Sequence, residues 1–262
     1  MSIFGKLFEK KECAICGGEI GLLGNRKLED GNMCKNCAQK LSPWFSDRRS
    51  STVAEIKEQL DYREANREKV SAFRITRTLG ENVKLLLDED AGMFMVTSAR
   101  NLEEANPDVL AFSDVTGCNL DIDERKIEMK REIENSDGTV DKVSYDPPCY
   151  AYEYDFYIVI HVRNPYFDEI RFQLNRSTVE VEPMQQMGSF RTTQPEQDVE
   201  YRRYQEDGEE IKRILLQIRQ ETRDEADAAS SPKSAVTCPY CGATTTPDAS
   251  GCCEFCGGAI GR

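Results

Sequence analysis

The chain has 262 residues, of which 39% are hydrophobic and 31% are charged. This mixture is typical of a soluble globular protein, and no run of about 18 apolar residues is present that could span a bilayer. The 34 Lys and Arg against 47 Asp and Glu give a formal net charge of −13, which opposes binding to nucleic acid phosphates.

Residues 3–8 form the first predicted element, a short amphipathic turn. Its apolar side chains recur at helical spacing: Ile3, Phe4, Leu7 and Phe8. Such a segment packs against the module that follows it, or contacts a membrane surface or a partner; the few neighbouring lysines make it a weak membrane anchor. The first ten residues have no apolar core long enough for a signal peptide, so we expect a cytoplasmic protein.

Residues 1–45 contain two CxxC pairs, which predict a structural zinc site held by Cys13, Cys16, Cys34 and Cys37. Each pair places two thiolates on one tight turn, and two turns complete a tetrahedron. CxxC pairs also favour a reducing compartment, since a secreted chain would use its cysteines for disulfides.

The surroundings of these cysteines predict a treble-clef zinc module. Gly17-Gly18 suit a knuckle whose turn needs positive φ, and Gly24-Asn25 predicts a hairpin turn, with a second turn at Asp30-Gly31. Good helix formers follow Cys37, so the second pair is expected at the first turn of a short helix.

The run from Cys13 to Pro43 resembles a small bacterial domain of unknown function that opens uncharacterised proteins. The residues that carry the resemblance are the four cysteines, Gly21-Leu-Leu-Gly24, Leu28, Asp30-Gly31 and Leu41-Ser-Pro43. The resemblance implies a treble-clef zinc module and no enzymatic activity.

Residues 46–71 predict a polar linker and a connector helix. Thr52-Val-Ala-Glu55 is a capping box that starts the helix, which is expected to reach about Val70. Its apolar stripe thins after Leu60. The alternating Arg and Glu residues from Arg63 to Lys69 predict a solvated face.

Residues 72–225 predict an antiparallel β domain with a closing helix. In the clearest strand, Ala151 to Arg163, apolar residues occupy the even positions. About seven strands are expected in all, one of them in Lys126 to Glu134, where apolar and charged residues alternate. The others are predicted at Phe73–Thr78, Val83–Leu87, Met93–Thr97, Val115–Ile122 and Glu169–Leu174.

A long amphipathic helix is predicted from Pro195 to about Ala226, with Gly208 as its weak point. A seven-stranded antiparallel sandwich or barrel followed by one helix resembles the pleckstrin-homology-like architecture. The expected fold class is therefore α+β multidomain, and the resemblance of topology implies no function.

Residues 226–236 predict a flexible linker, and residues 237–262 a C-terminal zinc ribbon. The ligands expected for the second structural zinc are Cys238, Cys241, Cys253 and Cys256. Cys252 is the alternative to Cys253, which is preferred because it restores the CxxC spacing.

The sequence offers little for catalysis. His161 is the only histidine, and four cysteine ligands leave a zinc ion no open position for substrate. The acidic runs Asp88-Glu-Asp90 and Asp121-Ile-Asp-Glu124 match no EF-hand loop and are expected at strand ends.

These observations predict a zinc-binding, non-catalytic adaptor or regulatory protein that binds another protein. Tyr240 and Phe255 of the ribbon are the expected contacts, and the alternative for both rings is packing across their own small module. The first alternative is a nucleic-acid-associated regulator that uses its zinc modules. Residues 1–50 argue against it, because their nine Lys and Arg and six Asp and Glu give +3, which a four-thiolate zinc site reduces to about +1. The second alternative is a peripheral membrane-associated scaffold.

Overall fold

The structure, a computed structural model, describes residues 11–21, 23–186, 189–230, 235–248 and 251–260. The predicted amphipathic turn at residues 3–8 lies outside these ranges. The chain divides into two compact units, Met1–Arg219 and Gln220–Arg262. No helix in the described ranges is long and apolar enough to cross a membrane.

The first unit begins with two small antiparallel hairpins and a short helix. The elements are β1 (Lys11–Glu12), β2 (Glu19–Ile20), β3 (Asn25–Lys27), β4 (Asn32–Cys34) and α1 (Lys35–Ala38), with β1 paired to β2 and β3 to β4. The β3–β4 turn is closed by the Leu28 N–H, which donates to the Gly31 carbonyl at 2.9 Å. The predicted turn at Asp30-Gly31 therefore closes this hairpin. The other predicted turn, Gly24-Asn25, is displaced: the Gly24 N–H donates to the Gly21 carbonyl at 2.9 Å, and Asn25 already belongs to β3. A Cβ on Gly31 would lie 2.7 Å from Val53 Cγ2, so this turn leaves no room for a side chain.

A 3-10 helix (Asp47–Ser50) leads into α2 (Val53–Ala72). The predicted capping box is present, because the Thr52 N–H donates to Glu55 Oε2 at 2.7 Å and the Glu55 N–H donates to Thr52 Oγ1 at 3.3 Å. The first turns of α2 pack on the N-terminal module, where Ile56 is fully buried. The Val53 N–H also donates to Asp30 Oδ1 at 2.8 Å. These contacts make the start of α2 part of the module.

The middle of the chain forms two four-stranded antiparallel sheets and two separate two-stranded ribbons. The first sheet has the order β5 (Arg77–Leu79), β6 (Lys84–Asp88), β7 (Met93–Thr97), β8 (Leu110–Ala111), and α3 (Leu102–Ala105) precedes β8. The remaining strands are β9 (Val115–Glu128), β10 (Lys130–Glu134), β11 (Val140–Ser144), β12 (Tyr150–Val162), β13 (Glu169–Gln173), β14 (Val179–Val181), β15 (Met184–Gln186) and β16 (Ser189–Arg191).

The second sheet is built around β12. Strand β9 pairs with β12 along its whole length, and β13 and β14 share the other edge. The prediction that the even-numbered apolar residues of β12 face the core is confirmed for Phe156, Ile158 and Ile160, which are fully buried. Strands β10 and β11 pair only with each other, and all their residues are exposed. The buried face expected for Lys126 to Glu134 is therefore absent from these described strands.

One apolar core joins both sheets to α4 (Val199–Ser230), which follows a 3-10 helix (Pro195–Gln197). The buried residues of α4 in this core include Tyr204, Ile211 and Leu215. Gly208 is a site of close packing rather than a weak point, because a Cβ there would lie 2.5 Å from Leu120 Cδ1. The described strands form no closed barrel, in contrast to the barrel alternative in the prediction.

The first sheet is covered on both faces. Leu85 and Leu87 of β6 belong to the shared core, whereas Leu86 packs with Val70 of α2 on the opposite face. Burial on both faces explains the uninterrupted apolar run Leu85-Leu86-Leu87, since a strand with one exposed face would alternate apolar and polar residues.

The second unit contains the end of α4 and one small hairpin, β17 (Val236–Thr237) and β18 (Thr244–Thr245). Helix α4 continues to Ser230, beyond the predicted start of the linker at residue 226. Alanine and the charged residues of this segment favour helix, which explains the longer element.

A buried polar network attaches α2 to the loop before β8. The Arg63 guanidinium donates to Asp108 Oδ1 at 2.7 Å and to the Asn106 carbonyl, and Arg63 Nε donates to the Lys40 carbonyl at 3.2 Å. Ser42 Oγ donates to the other Asp108 oxygen at 2.8 Å. Arg63 and Asp108 are only 6% and 3% exposed, so the prediction of a solvated face from Arg63 to Lys69 was wrong at this position.

Asn66 extends the network by one helical turn. Its amide nitrogen donates to Asn106 Oδ1 at 2.8 Å and to the Pro107 carbonyl at 2.7 Å, and its amide oxygen accepts from the Val109 N–H at 2.9 Å. Asn106 returns a hydrogen bond to the Arg63 carbonyl at 2.7 Å. Asn66 is 1% exposed, so this second position of the predicted solvated face is buried too.

Removal of one partner of the buried ion pair should destabilise the first unit strongly. Arg63→Leu leaves the Asp108 carboxylate buried without its counter-charge, and we expect a loss of about 3–5 kcal/mol in the free energy of unfolding. Urea titration followed by circular dichroism measures it.

The matched control is Arg67→Leu, one turn further along α2. Arg67 pairs with Glu64 at 3.0 Å with both side chains at least half exposed, so we expect a change of at most about 1 kcal/mol. Equal destabilisation by the two substitutions would contradict the role assigned to the buried pair.

Candidate metal centres

The first candidate centre lies in the N-terminal module, where the Sγ atoms of Cys13, Cys16, Cys34 and Cys37 all lie within 4.8 Å of one another. Cys13 and Cys16 occupy the turn between β1 and β2. Cys34 ends β4 and caps α1, and Cys37 lies within α1. The Cys16 and Cys34 sulfur atoms are 3.9 Å apart. The structure thus brings together all four residues of the first predicted site.

The turn at Cys13 has a hydrogen-bond pattern that recurs in the second unit. The Cys13 N–H donates to the Gly18 carbonyl and the Gly17 N–H donates to the Cys13 carbonyl, both at 2.8 Å. Gly17 has a φ of +71°, which a residue with a side chain rarely adopts. The glycine after the CxxC pair is therefore required by the backbone of the knuckle.

Backbone N–H groups stabilise thiolate charge at this site. The Cys34 N–H donates to Cys13 Sγ at 3.2 Å, and the Cys37 N–H donates to Cys34 Sγ at 3.4 Å. Burial raises the pKa of the Cys13 thiol, but hydrogen bonds from the backbone of Cys16, Cys34 and Ile15 outweigh burial and lower this pKa to about 6. Burial and hydrogen bonds with the neighbouring thiols instead raise the pKa of Cys37, so Cys13 is the one of these two thiols that more readily gives the thiolate form that binds a metal ion.

The second candidate centre is formed by Cys238, Cys241, Cys253 and Cys256, whose Sγ atoms also all lie within 4.8 Å. The sulfur of Cys238 is 3.5 Å from that of Cys256, and the sulfur of Cys241 is 3.7 Å from that of Cys253, so each knuckle faces the other.

Both knuckles of the second centre repeat the hydrogen bonds of the first. The Gly242 N–H donates to the Cys238 carbonyl and the Gly257 N–H donates to the Cys253 carbonyl, both at 2.8 Å. The φ angles of Gly242 and Gly257 are +71° and +72°. For Cys238, burial raises the pKa, but backbone hydrogen bonds from Cys241 and Tyr240 and the neighbouring Cys256 thiol bring it down to about 7.

Both cysteine groups fit a tetrahedral zinc ion. Four sulfur ligands at about 2.3 Å from a tetrahedral centre lie about 3.8 Å from one another. The measured separations of 3.9, 3.5 and 3.7 Å are close to this value. Four thiolates are the donor set of structural zinc sites, which have no open coordination position.

The three other cysteines lie outside both groups. Cys252 forms a β-bridge with Ala259, and its backbone N–H donates to Asp248 Oδ1 at 2.9 Å. Cys118 and Cys149 are buried at 3% and 5% exposure, and burial raises the pKa of Cys118 to about 12. Cys253 rather than Cys252 belongs to the metal-binding group.

The acidic runs are engaged in contacts within the protein. Asp88 accepts from the backbone N–H groups of Arg74 at 2.8 Å and Ala91 at 3.0 Å. Asp121 lies within β9, not at a strand end as predicted, and pairs with Arg171 at 2.6 Å.

The one histidine lies on β12. His161 Nε2 is 3.3 Å from the Asn119 amide nitrogen of the neighbouring strand β9. Within the described ranges, His161 belongs to neither group of potential metal ligands.

The structure also gathers three cationic side chains, Arg26, Lys35 and Arg48, around one pocket of the N-terminal module. Charge counting missed this cluster, because a sum over residues 1–50 does not show which of the cations converge. The three cations lie in separate segments that meet only in the folded protein, so no local sequence pattern predicts the cluster.

Comparison with known families assigns only the N-terminal part of the chain. Residues 11–59 match a domain of unknown function, DUF4428. No curated protein and no solved structure matches the chain. The matched segment includes the first turns of α2, in agreement with the packing of Val53 and Ile56 on the module.

We expect two metal ions per chain, measured by elemental analysis of the purified protein. Cys253→Ser should remove one ion, because it takes a sulfur from the second tetrahedron. Cys252→Ser is the matched control and should retain both. Retention of two ions by Cys253→Ser, or loss of one by Cys252→Ser, would contradict the ligand assignment.

Proposed function

We propose that this protein is a non-catalytic, zinc-binding cytoplasmic adaptor that binds a partner protein through its C-terminal zinc ribbon. The proposal combines the chemistry of the two cysteine groups with the surface of the ribbon. The eight cysteines in these groups must stay reduced to bind zinc, which supports the cytoplasm.

Zinc is the ion we propose for both centres, in a structural role. Each site has four cysteines, arranged in pairs with two residues between the members of a pair. Thiolates bind zinc more strongly than they bind harder cations, which prefer oxygen ligands. In the first module, the knuckle at Cys13, the β3–β4 hairpin and the cysteine-bearing α1 support a treble-clef type. The middle retains one feature of pleckstrin-homology-like domains, a C-terminal helix packed on antiparallel sheets.

The exposure of two aromatic rings in the ribbon is the observation that carries the proposal. Tyr240 is 71% exposed and Phe255 is 70% exposed. They hold the same position in the two facing knuckles, directly before Cys241 and Cys256. Large aromatic side chains cost free energy when solvated and are enriched among the residues that dominate protein interfaces. Packing within the ribbon accounts for a minor part of the two residues: the Tyr240 ring lies against Gly258 of the facing knuckle, but less than a third of either residue is covered.

The corresponding position of the N-terminal knuckle provides a comparison within the chain. Ile15 there packs partly against the module's apolar cluster. The ribbon presents rings at the position where the first module has an aliphatic contact with its own core. We infer that the first zinc centre supports the fold of its unit, while the second displays a binding surface.

A catalytic role has less support. A four-thiolate site has no open position at which substrate or water could bind zinc. The net charge of −13 also favours a protein partner over nucleic acid.

The test is the double variant Tyr240→Ser/Phe255→Ser. We expect affinity capture with the intact protein to identify a partner, and the double variant to bind that purified partner at least tenfold more weakly, about 1.4 kcal/mol or more. Zinc content should stay at two ions per chain, because neither ring is a ligand.

Pro239→Ser/Glu254→Ser is the matched control, with two exposed residues changed in the same two knuckles. It should bind the partner like the original protein. Equal weakening in the two double variants would assign the effect to the knuckle backbone. Unchanged binding by the aromatic variant would refute the proposed surface.

A further inference from the structure

The N-terminal module has a cationic pocket that neither metal centre uses. Its volume is about 300 Å³, and within the described part of the chain its lining includes three cations and no Asp or Glu: Arg26, Lys35 and Arg48. Ala38, Leu41 and Phe45 contribute an apolar wall. The cations come from β3, α1 and the 3-10 helix before α2, so folding alone brings them together.

Backbone carbonyl groups hold both guanidinium groups. Arg48 Nη1 donates to the Lys27 carbonyl at 2.6 Å, and Arg26 Nη1 donates to the Asn25 carbonyl at 3.2 Å and the Leu23 carbonyl at 3.3 Å. Both residues are partly buried. A guanidinium has five N–H donors, so each group keeps donors for a ligand while one nitrogen is fixed.

No carboxylate neutralises the cluster among the residues that the structure describes. No described carboxylate forms an ion pair within 4.0 Å with Arg26, Lys35 or Arg48, although Arg63, Arg77, Arg125, Arg171 and Arg203 all do so elsewhere. Burial, together with the charges of Arg26 and Arg49, lowers the pKa of Arg48. Convergence of like charges beside an apolar wall is unfavourable, and a bound anion would relieve it.

We propose that this pocket binds a phosphate monoester group. Such a group carries a charge of about −1.5 to −2 and three acceptor oxygens, which suits two guanidinium forks and one ammonium better than a singly charged carboxylate does. The pocket gathers three cations in a chain of net charge −13, which suits one phosphate group better than the series of phosphates along a nucleic acid.

The test uses the full-length zinc-loaded protein and two probes, inorganic phosphate and O-phosphoserine, titrated by calorimetry. We expect saturable binding at up to millimolar probe, weakened at least tenfold by Arg48→Gln and by Arg26→Gln. Arg48→Lys should recover only part of the affinity, because it restores the charge without the planar fork. Binding of inorganic phosphate alone would identify the free ion as the ligand, whereas tighter binding of phosphoserine would identify a monoester.

Arg49→Gln is the matched control: Arg49 is exposed, adjacent in sequence, and does not line the pocket. It should change the affinity by less than about threefold, because Arg49 is exposed to solvent and acts on the pocket only through its screened charge. Absence of saturable binding by either probe would overturn the proposal. Tighter binding of a single-stranded oligonucleotide than of phosphoserine, lost in Arg48→Gln, would also overturn it in favour of a nucleic acid surface. Loss of a zinc ion in Arg48→Gln would also overturn the proposal, because it would show that the cations neutralise the charge of the thiolate ligands.

Discussion

The first unit depends on the contact between Arg63 and Asp108. Three nitrogens of one guanidinium reach three separate acceptors: the Lys40 carbonyl after α1, and the Asn106 carbonyl and Asp108 carboxylate before β8. This single side chain therefore connects the N-terminal module, α2 and the first sheet. Because buried ion pairs gain little net free energy over apolar packing, we assign the contact a role in fixing orientation: any other placement of α2 would leave a buried charge unpaired. The module and the β sheets consequently form one unit.

That attachment gives the two metal centres different physical surroundings. The first shares an apolar cluster with Leu28, Met33 and Ile56, all fully buried, so loss of its ion would disturb a surface on which α2 rests. The second belongs to a small unit whose knuckles present Tyr240 and Phe255 to solvent. A module this small cannot bury enough apolar surface to fold alone, so a metal ion supplies the stability that lets it expose those rings. Similar cysteine spacing thus lies beside a shared apolar core in one place and beside exposed rings in the other.

Sequence reasoning succeeded where the information is local. The CxxC spacing, the glycine after each knuckle, the Thr52–Glu55 capping box and the alternation of β12 each lie within a few residues, and all appear in the structure. It failed where the deciding partner is distant. Arg63 and Asn66 resemble a solvated helix face because Asn106 and Asp108 lie about 40 residues further along the chain. The cationic pocket was missed for the same reason: a summed charge hides which residues converge. The segment from Lys126 to Glu134 alternates as if one face were buried, but its residues in β10 are all exposed and no described element covers that strand.

The two proposed surfaces are individually small, which bears on how such a protein would achieve specificity. A pocket for one phosphate group offers few contacts, and two exposed rings bury little area compared with a stable interface of about 1,600 Å². Association costs several kcal/mol in lost translational and rotational freedom, so neither surface alone is expected to bind tightly. Each surface is therefore expected to select by chemistry rather than by area: the pocket by charge and acceptor oxygens, the exposed rings by apolar contact.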